Sequence, residues 1–507
     1  MIIKDGKYDD PFVQSVYERM YPGMFNQQGL VMPLMGYTYG EARTRPIYTE
    51  IAPHEVDLSN QIGPVRLRLP VFSAIMDTVS GPDMGKALSD VGGCCVLWRH
   101  PKAEVQLGWA EEVLKHKPCL VADPKCLRPE ATLADANEIL TKFHFSTIPI
   151  VSKSGVLQGI LFTGGVAFKK HRLSEPVTER MTPLARLKFV NINVPFEKVR
   201  HRLFHEDECS VLPVLGRGGR FKGIYFMKDA LAAEPSYHNG KPLVGMGVGV
   251  SPEDLERVRL GLELGVGVFC VDSSHGDGLG VIKQAEAIVK IVNGRAAVMA
   301  GNIADIGGYH HLAQVGVDAV KCNIGSGSAC TTSEGTGVGV PTFTLLREID
   351  FMRQVLLSKG ENAPAVIPDG GIDGPGAIAV ALAGGGDACM VGKYLVGAQE
   401  SLSCVERGVT REGMVYYRGM ASKPAINARA SSSRYGKEKK ASEGEEGYVP
   451  YRGPLTTWIA EDTELIQGEL SHIGARNIAE AREFAKWPMA FTVFTAAGQR
   501  QIGSQLE

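Results

Sequence analysis

Eight short apolar runs recur along the chain, separated by stretches with helical periodicity. Most are apolar at nearly every position, which is typical of parallel strands covered by helices. The stretches between them include amphipathic segments at residues 252–262 and 281–292. Eight strands alternating with helices predict an α/β fold, a (β/α)8 or TIM barrel. The predicted strands are Pro70–Met76, Gly93–Leu97, Leu243–Val248, Val268–Asp272, Ala296–Ala300, Ala319–Ile324, Ala365–Pro368 and Ala388–Val391.

One gap between predicted strands, residues 102–241, is far too long for a single connecting helix. It contains an internal repeat at 126–167 and 189–230, and each copy has a helix, a strand, a glycine turn and a second strand. Such a repeat indicates two units of one shared fold. The two copies resemble a tandem CBS pair, which would bind purine nucleotides as regulators; a purely structural insert is the alternative. The predicted domains are therefore barrel residues 1–101, insert residues 102–241 and barrel residues 242–507.

A second irregular stretch runs from residue 421 to 446 and is rich in Ser, Lys and Glu. A long loop without periodicity inside a compact domain is usually functional or disordered. This one follows the last barrel strand, on the side where barrel active sites lie. We therefore predict that it is a mobile flap over the site.

The predicted strand at 319–324 runs directly into a loop of glycine and hydroxyl residues with Cys330 at its tip. Glycine lets the backbone of this loop curl around a ligand. A thiolate at the carboxyl end of a barrel strand is a plausible nucleophile. Most single cysteines are inert core residues, so this interpretation depends on the neighbouring motifs.

Two further glycine-containing loops follow the last two predicted strands, with Asp369 in the first and Gly392 in the second. In many barrels these loops hold a phosphate on backbone N–H groups. The carboxylate of Asp369 suits a ribose diol, which needs an acceptor. Asp272 ends the fourth strand and is placed to accept from another ribose hydroxyl, and Asn302 follows the fifth. Each of these residues alone could instead be a helix cap.

Composition and motifs exclude several classes of protein. A formal net charge of −2 argues against a nucleic-acid surface built on bulk charge. The sequence has no G-x-G-x-x-G and no P-loop, so any dinucleotide must bind without the Rossmann device. Ten cysteines without a C-x-x-C pair, a polar N-terminus and no long apolar run predict a cytoplasmic protein without a membrane span.

Taken in order, these motifs resemble the IMP dehydrogenase and GMP reductase family over nearly the whole chain. Several spaced and chemically distinct motifs carry the resemblance. They are Ser73–Val79, the paired insert, Asp272–Ser274, the cysteine loop, Asp369–Ile372, Tyr417–Met420, and Glu443-Gly444 ahead of Val449–Tyr451.

The family has two main activities, and the flap helps to distinguish them. One oxidises IMP to XMP with NAD and water; the other reduces GMP to IMP and ammonia with NADPH. Arg434-Tyr435 resembles the Arg–Tyr pair of dehydrogenase flaps, in which the arginine activates the hydrolytic water. The resemblance therefore favours the dehydrogenase. A GMP reductase, or a nucleotide-sensing regulator that has lost turnover, remains the alternative.

The resemblance also implies roles for individual residues. Cys330 would bond covalently to the purine, and Arg434, with Tyr435 and Thr332, would activate water. Potassium would bind the backbone carbonyls of Gly325, Gly327 and Cys330, and the chain would form a homotetramer or octamer. The residues implied to bind the nucleotide are Met76, Ser328, Asp369, Gly371, Gly392, Lys393, Tyr417, Gly419, Met420, Ala421 and Glu443. Those implied to bind NAD are Asp272, Ser273, Ser274, Asn302 and Gly325.

Three positions depart from the family pattern. The strand before the cysteine loop reads Lys321-Cys322-Asn323-Ile324-Gly325 where Val-Gly-Ile-Gly is commoner, and Lys393 stands where many members have a phosphate-binding serine. Residues 494–499 lack the Glu-Gly-Gly-His end that completes a potassium site in many dehydrogenases. Potassium activation is therefore a hypothesis.

Overall fold

Eight parallel strands form one sheet that closes into a barrel. From β1 to β7 each strand pairs with the next, and β8 pairs with β1. A parallel bridge between Asp369 and Met390 joins the ends of β7 and β8. The predicted (β/α)8 barrel is therefore confirmed. The strands are β1 (Val71–Ser73), β2 (Cys94–Leu97), β3 (Val244–Val248), β4 (Val268–Asp272), β5 (Ala297–Ile303), β6 (Ala319–Cys322), β7 (Ala365–Pro368) and β8 (Cys389–Val391).

This computed structural model describes residues 11–21, 25–26, 29–30, 36–143, 145–164, 167–232, 234–428, 442–486 and 490–493. The chain divides into two units by its internal packing. The barrel unit comprises Met1–His116 with Glu234–Glu507, and the insert unit comprises Lys117–Ala233.

The barrel strands are buried on both faces, which explains their nearly continuous apolar sequences. In β2, Cys94 and Val96 belong to a core cluster inside the barrel, whereas Cys95 and Leu97 belong to the cluster that includes the surrounding helices. Successive strand residues point to opposite faces, so neither face of such a strand tolerates unpaired polar groups.

Eight helices follow the strands and cover the outer face. The two predicted helices at 252–262 and 281–292 are confirmed and slightly longer. Ser251 and Asp254 form a capping box at the start of the first, and Gly265, with φ +104°, ends it. The helices are α1 (Pro82–Asp90), α2 (Ala103–Leu114), α3 (Pro252–Leu264), α4 (Leu279–Val292), α5 (Ile306–Gln314), α6 (Thr342–Ser358), α7 (Pro375–Gly384) and α8 (Leu455–His472).

Shorter elements complete the barrel unit. In the described part of the chain, no helix is long and apolar enough to cross a membrane. The short helices are Pro11–Met20, Thr332–Thr336, Lys393–Val396, Leu402–Arg407, Lys423–Ala428 and Ile478–Phe484. The short strands pair two by two: Phe25–Asn26 with Gly29–Leu30, Ala42–Thr44 with Phe491–Val493, Asn60–Ile62 with Val65–Leu67, Tyr237–His238 with Lys241–Pro242, and Met414–Arg418 with Glu446–Pro450.

A buried network of charges joins the start of β8 to α6. Arg353, on α6, pairs with both Asp350 and Asp387, and Arg482 pairs with Asp387. The Asp387 carboxylate also accepts a hydrogen bond from the backbone N–H of Val366. Burial favours the neutral acid, but the two arginines outweigh it, so the pKa of Asp387 lies below its ordinary value.

The insert unit has two halves built alike. In the first, helix Leu133–Phe143 precedes an antiparallel pair, Thr147–Val151 with Leu157–Phe162, and strand Thr182–Pro183 joins the sheet. In the second, helix Phe196–His201 precedes the pair Val211–Leu215 with Phe221–Phe226, and strand Val190–Asn191 joins it.

The insert interrupts the barrel sequence without interrupting its sheet. Strand β2 pairs directly with β3, although the insert lies between them in sequence. His116, just before the insert, pairs through Nε2 with Asp90 at 2.9 Å, and Ser236, just after it, donates to the Gly92 carbonyl at 2.6 Å. Both flanks are therefore fixed at the same short stretch of the barrel.

The insert unit, Lys117–Ala233, is shorter than the insert predicted from the sequence, residues 102–241. The difference arises because α2 and the 237–242 hairpin pack with the barrel.

Candidate active site

A cavity opens at the carboxyl ends of the strands, where barrel enzymes carry their catalytic groups. Residues at the carboxyl ends of β1, β4, β5, β6 and β7, or directly after them, line it together with Tyr417, residues 419–421 and Glu443. Fifteen of the predicted site residues are among the lining residues: Met76, Asp272, Ser273, Ser274, Asn302, Gly325, Gly327, Cys330, Thr332, Asp369, Tyr417, Gly419, Met420, Ala421 and Glu443.

Cys330 begins a series of hydrogen bonds inside this cavity. Its Sγ donates to the hydroxyl of Thr332 at 3.2 Å, and that hydroxyl donates to Oε2 of Glu443, also at 3.2 Å. Glu443 belongs to a segment far along the chain from the other two. The thiol is hydrogen-bonded to the hydroxyl and the hydroxyl to the carboxylate, an arrangement that can move a proton to or from a bound reactant.

Cys330 differs from the chain's other nine cysteines, all of which lie in the described residues. It is the one of the ten that lines the cavity. By contrast, burial raises the pKa of the Cys95 thiol to about 12 and also raises that of Cys322. Buried thiols of this kind stay protonated and inert.

Backbone contacts hold the Cys330 loop in place. Thr331 N–H donates to the Glu443 carbonyl at 3.0 Å, and Glu445 N–H donates to the Ala329 carbonyl at 3.1 Å. On the other side of this segment, Gly419 N–H donates to the Glu445 carbonyl. A Cβ at Gly419 would lie 2.3 Å from the Ala329 oxygen, so only glycine fits there.

A buried ion pair fixes the end of the strand that carries Tyr417 and leads into Met420. Arg418 donates through Nη2 to Oδ2 of Asp77 at 2.6 Å and through Nε to Oδ1 at 3.3 Å. The backbone N–H of Asp77 also donates to the sulfur of Met420 at 3.3 Å. The motif after β1 and the 417–420 motif therefore form one wall of the cavity.

The predicted phosphate-binding residues lie in different surroundings. The Tyr417 hydroxyl donates to the sulfur of Met76 at 3.9 Å, and burial raises the pKa of Tyr417 to about 12 despite the opposing effect of Ser328. A Cβ on Gly392 would lie 3.5 Å from the Tyr417 hydroxyl, so Gly392 adjoins the same place. Lys393 instead pairs with Asp373 at 3.3 Å on the surface. Gly371, like Ser328, Gly392 and Lys393, is not among the cavity-lining residues.

A charged group that the sequence interpretation missed lies at the floor of the cavity. The Lys321 ammonium contacts Oδ1 of Asp272 and Oδ2 of Asp369, each at 2.8 Å. Asn302 donates to the same Asp369 oxygen at 2.9 Å. Burial lowers the pKa of Lys321, but the two aspartates outweigh it, so its pKa lies above the ordinary value and the side chain stays charged. A lysine within a buried strand was the available signal.

Two predicted catalytic residues, Arg434 and Tyr435, lie outside the described residues.

The cavity at the strand ends, with a thiol beside a hydroxyl and a carboxylate, defines a barrel enzyme with a candidate cysteine nucleophile. The family model of the IMP dehydrogenase / GMP reductase domain matches residues 36–504. The chain therefore belongs to the IMP dehydrogenase and GMP reductase family, and it is an oxidoreductase.

Individual relatives agree with this assignment. The chain is 34% identical over 479 residues to inosine-5'-monophosphate dehydrogenase of Aquifex aeolicus, covering 92% of this chain and 94% of that one. It is 30% identical over 465 residues to the enzyme of the same name from Mycobacterium leprae, covering 88% and 85%. A solved GMP reductase from Trypanosoma brucei, in complex with guanosine 5'-monophosphate, superposes with a TM-score of 0.64 at 25% identity, covering 93% and 98%.

Proposed function

We propose that this protein is an IMP dehydrogenase, which oxidises IMP to XMP with NAD and water. The observation that carries the proposal is the Cys330–Thr332–Glu443 series of hydrogen bonds inside the cavity. Its sequence relatives named inosine-5'-monophosphate dehydrogenase support the same activity. Guanine nucleotide biosynthesis is the role that this reaction would serve.

In the first half of the reaction, Cys330 acts as the nucleophile. Its Sγ bonds to C2 of the hypoxanthine ring, and the thiol proton passes to the ring nitrogen beside that carbon. NAD, when bound, supplies the acceptor for the hydride of C2. The product of this half is a thioimidate, in which C2 remains joined to Cys330.

In the second half, water attacks C2, the carbon–sulfur bond breaks and the thiolate leaves. Thr332 lies 3.2 Å from the sulfur and is hydrogen-bonded to Glu443, so this pair can take the proton that the water loses. Arg434 and Tyr435, which lie outside the described residues, are the groups proposed from the sequence to activate that water.

The cavity offers acceptors for both ligands. Asp369 suits the ribose of the nucleotide, and Asp272 suits the ribose of NAD, because each carboxylate lines the cavity. We assign the base to Met76, Gly419, Met420, Ala421 and Glu443, the phosphate to Ser328, Gly371, Gly392, Lys393 and Tyr417, and the rest of NAD to Ser273, Ser274, Asn302 and Gly325. Lys393 would reach the phosphate only by leaving Asp373.

Potassium, assembly and regulation extend the proposal. The Gly325 carbonyl accepts from Ser333, and the Gly327 carbonyl accepts from Cys330 N–H. A carbonyl oxygen has a second lone pair, so both can still bind a cation. We further propose a cytoplasmic homotetramer or octamer, with the insert as a CBS pair that binds purine nucleotides.

Absorbance at 340 nm on purified protein tests the function directly. With potassium present, IMP and NAD should give a rise in absorbance, whereas GMP and NADPH should give no change. A fall in the second mixture alone would establish a GMP reductase. No change in absorbance in either mixture would favour a nucleotide-sensing regulator without turnover.

Replacing Arg434 with alanine should separate the two halves of the reaction. Transfer of the C2 hydride to NAD needs Cys330 and the bound ligands but not Arg434. Hydrolysis of the thioimidate, by contrast, loses its proposed water-activating group in this variant. We expect a burst of about one NADH per active site, followed by a steady rate reduced by at least about 10²-fold. Stopped-flow absorbance measures both phases, with Arg411→Ala as a control elsewhere in the chain. A normal steady rate would remove Arg434 from the mechanism.

Replacing Arg418 with methionine should weaken catalysis by loosening one cavity wall. The Asp77 carboxylate loses its bidentate partner, so Tyr417 and Met420 shift; misplacement of this kind costs about 10²-fold in kcat/KM. Steady-state kinetics with IMP as the varied substrate measures the loss. The double variant Asp77→Leu/Arg418→Met, which removes both charges, should be thermally more stable than Arg418→Met alone. Unchanged kcat/KM in the single variant would contradict this role.

A further inference from the structure

Lys321 places a positive charge in the interior of the barrel, where charged groups are rare. Its side chain is only 3% exposed, and its ammonium lies 2.8 Å from one oxygen of Asp272 and 2.8 Å from one of Asp369. The first aspartate ends β4, and the second follows β7. A single cation therefore connects the two carboxylates assigned above to different ligands.

The register of the sheet explains how this side chain reaches across the barrel. Asp272 pairs with Gly301, and Gly301 pairs with Lys321, so the three residues form one row across β4, β5 and β6. A Cβ on Gly301 would lie 2.6 Å from the Cβ of Lys321. Because Gly301 has no side chain, Lys321 can pass over β5 and reach Asp272.

The ammonium places one positive charge between the two carboxylates. Each contacting oxygen lies 2.8 Å from the same nitrogen, so the two oxygens lie within twice that distance of each other. Like charges so close favour protonation of one group when no cation lies between them. Asn302 donates to Asp369 and to the Asn323 carbonyl, but its amide is uncharged and cannot replace the lysine.

We propose that Lys321 is a positioning residue that keeps Asp272 and Asp369 ionised and directed into the cavity, so that nucleotide and NAD binding both depend on one ammonium. This rests on the proposed function, because it takes Asp369 as the nucleotide ribose acceptor and Asp272 as the NAD acceptor. A protonated carboxyl group, or one turned towards its neighbour, is a poorer acceptor for a diol.

The first test compares Lys321→Met, which keeps the length of the side chain and removes its charge, with native protein. In a Cys330→Ala background, which cannot react, calorimetric titration should show the Kd for IMP rising at least about 10-fold. In enzyme that retains Cys330, KM for NAD should rise as well. Lys290→Met, on the surface of α4 and paired only with Glu286 at 2.7 Å among the bonds described, is the matched control and should change neither.

A double variant separates electrostatic positioning from a merely structural role. In Lys321→Met/Asp272→Asn the repulsion is gone, so the Kd for IMP should return to within about 3-fold of the value with Lys321, while KM for NAD stays high. Unchanged binding in Lys321→Met, or no recovery of IMP binding in the double variant, would overturn the proposal. If native protein fails to reduce NAD with IMP, the proposed function fails; the same variants titrated with IMP and with GMP still test Lys321.

Discussion

Cys330→Ala should abolish NADH formation, lowering kcat by about 10⁴-fold or more, because covalent bonding to the purine is lost. Binding of IMP should remain within a few-fold of native, since the Cys330 thiol makes its covalent contribution only after the nucleotide is bound. Absorbance at 340 nm measures the rate, and calorimetric titration measures the affinity.

Cys126→Ala is the matched control for this substitution. Cys126 is an exposed cysteine of the insert unit, so its loss should leave the rate unchanged. A Cys330→Ala enzyme that keeps a tenth of the native rate would show that another group forms the bond to the substrate, or that no covalent bond is needed.

Arg353→Met should lower the free energy of unfolding of the barrel by about 3–5 kcal/mol. The substitution leaves the buried carboxylates of Asp350 and Asp387 without a shared partner, and breaking a buried ion pair on one side has this cost. Urea unfolding followed by tryptophan fluorescence measures the change. Arg259→Met, which removes an exposed pair with Glu256, should cost less than about 1 kcal/mol.

The effect of Arg353→Met should also depend on pH. Because the pKa of Asp387 is lower in the folded protein than in the unfolded chain, its stabilising contribution is present above the unfolded value, about 4 for Asp, and is lost as pH falls through the folded value. The difference between native and variant should therefore be largest near neutral pH and shrink below about pH 4. A difference that does not change with pH would mean that Asp387 contributes nothing to it.

The barrel was predictable because its strands are buried on both faces and therefore apolar almost throughout. Two strands, Val268–Asp272 and Ala365–Pro368, have the predicted bounds, and the other six differ by a few residues at their ends. Strand ends depend on where backbone pairing stops, which local sequence does not determine. The boundary of the insert differed for a related reason: α2 is amphipathic, but only the packed structure shows that it belongs to the barrel.

The side-chain contacts within the site could not be predicted from the sequence in the same way. Thr332 and Glu443 are 111 residues apart and Arg418 and Asp77 are 341 apart, so no local pattern connects them. The sequence places Lys321 in a predicted strand that is otherwise largely apolar, and the sequence motifs place its two partners, Asp272 and Asp369, at separate ligands. The family resemblance, and no local pattern, implies Lys393 as a phosphate ligand; in the structure its ammonium pairs with Asp373 at 3.3 Å. Such side-chain pairs form between residues whose partners the local sequence does not identify.

The fixed flanks of the insert have a consequence for how this chain can be rearranged. Since His116 is held at Asp90, the last residue of α1, and Ser236 at Gly92, just before β2, the barrel ends at that break stay in place whatever connects them. The entropy of closing a connecting loop grows only slowly with its length. This position should therefore tolerate replacement of the inserted segment. A short linker, or an unrelated sensor domain with close termini, could replace residues 117–233 and leave the strand order of the barrel intact.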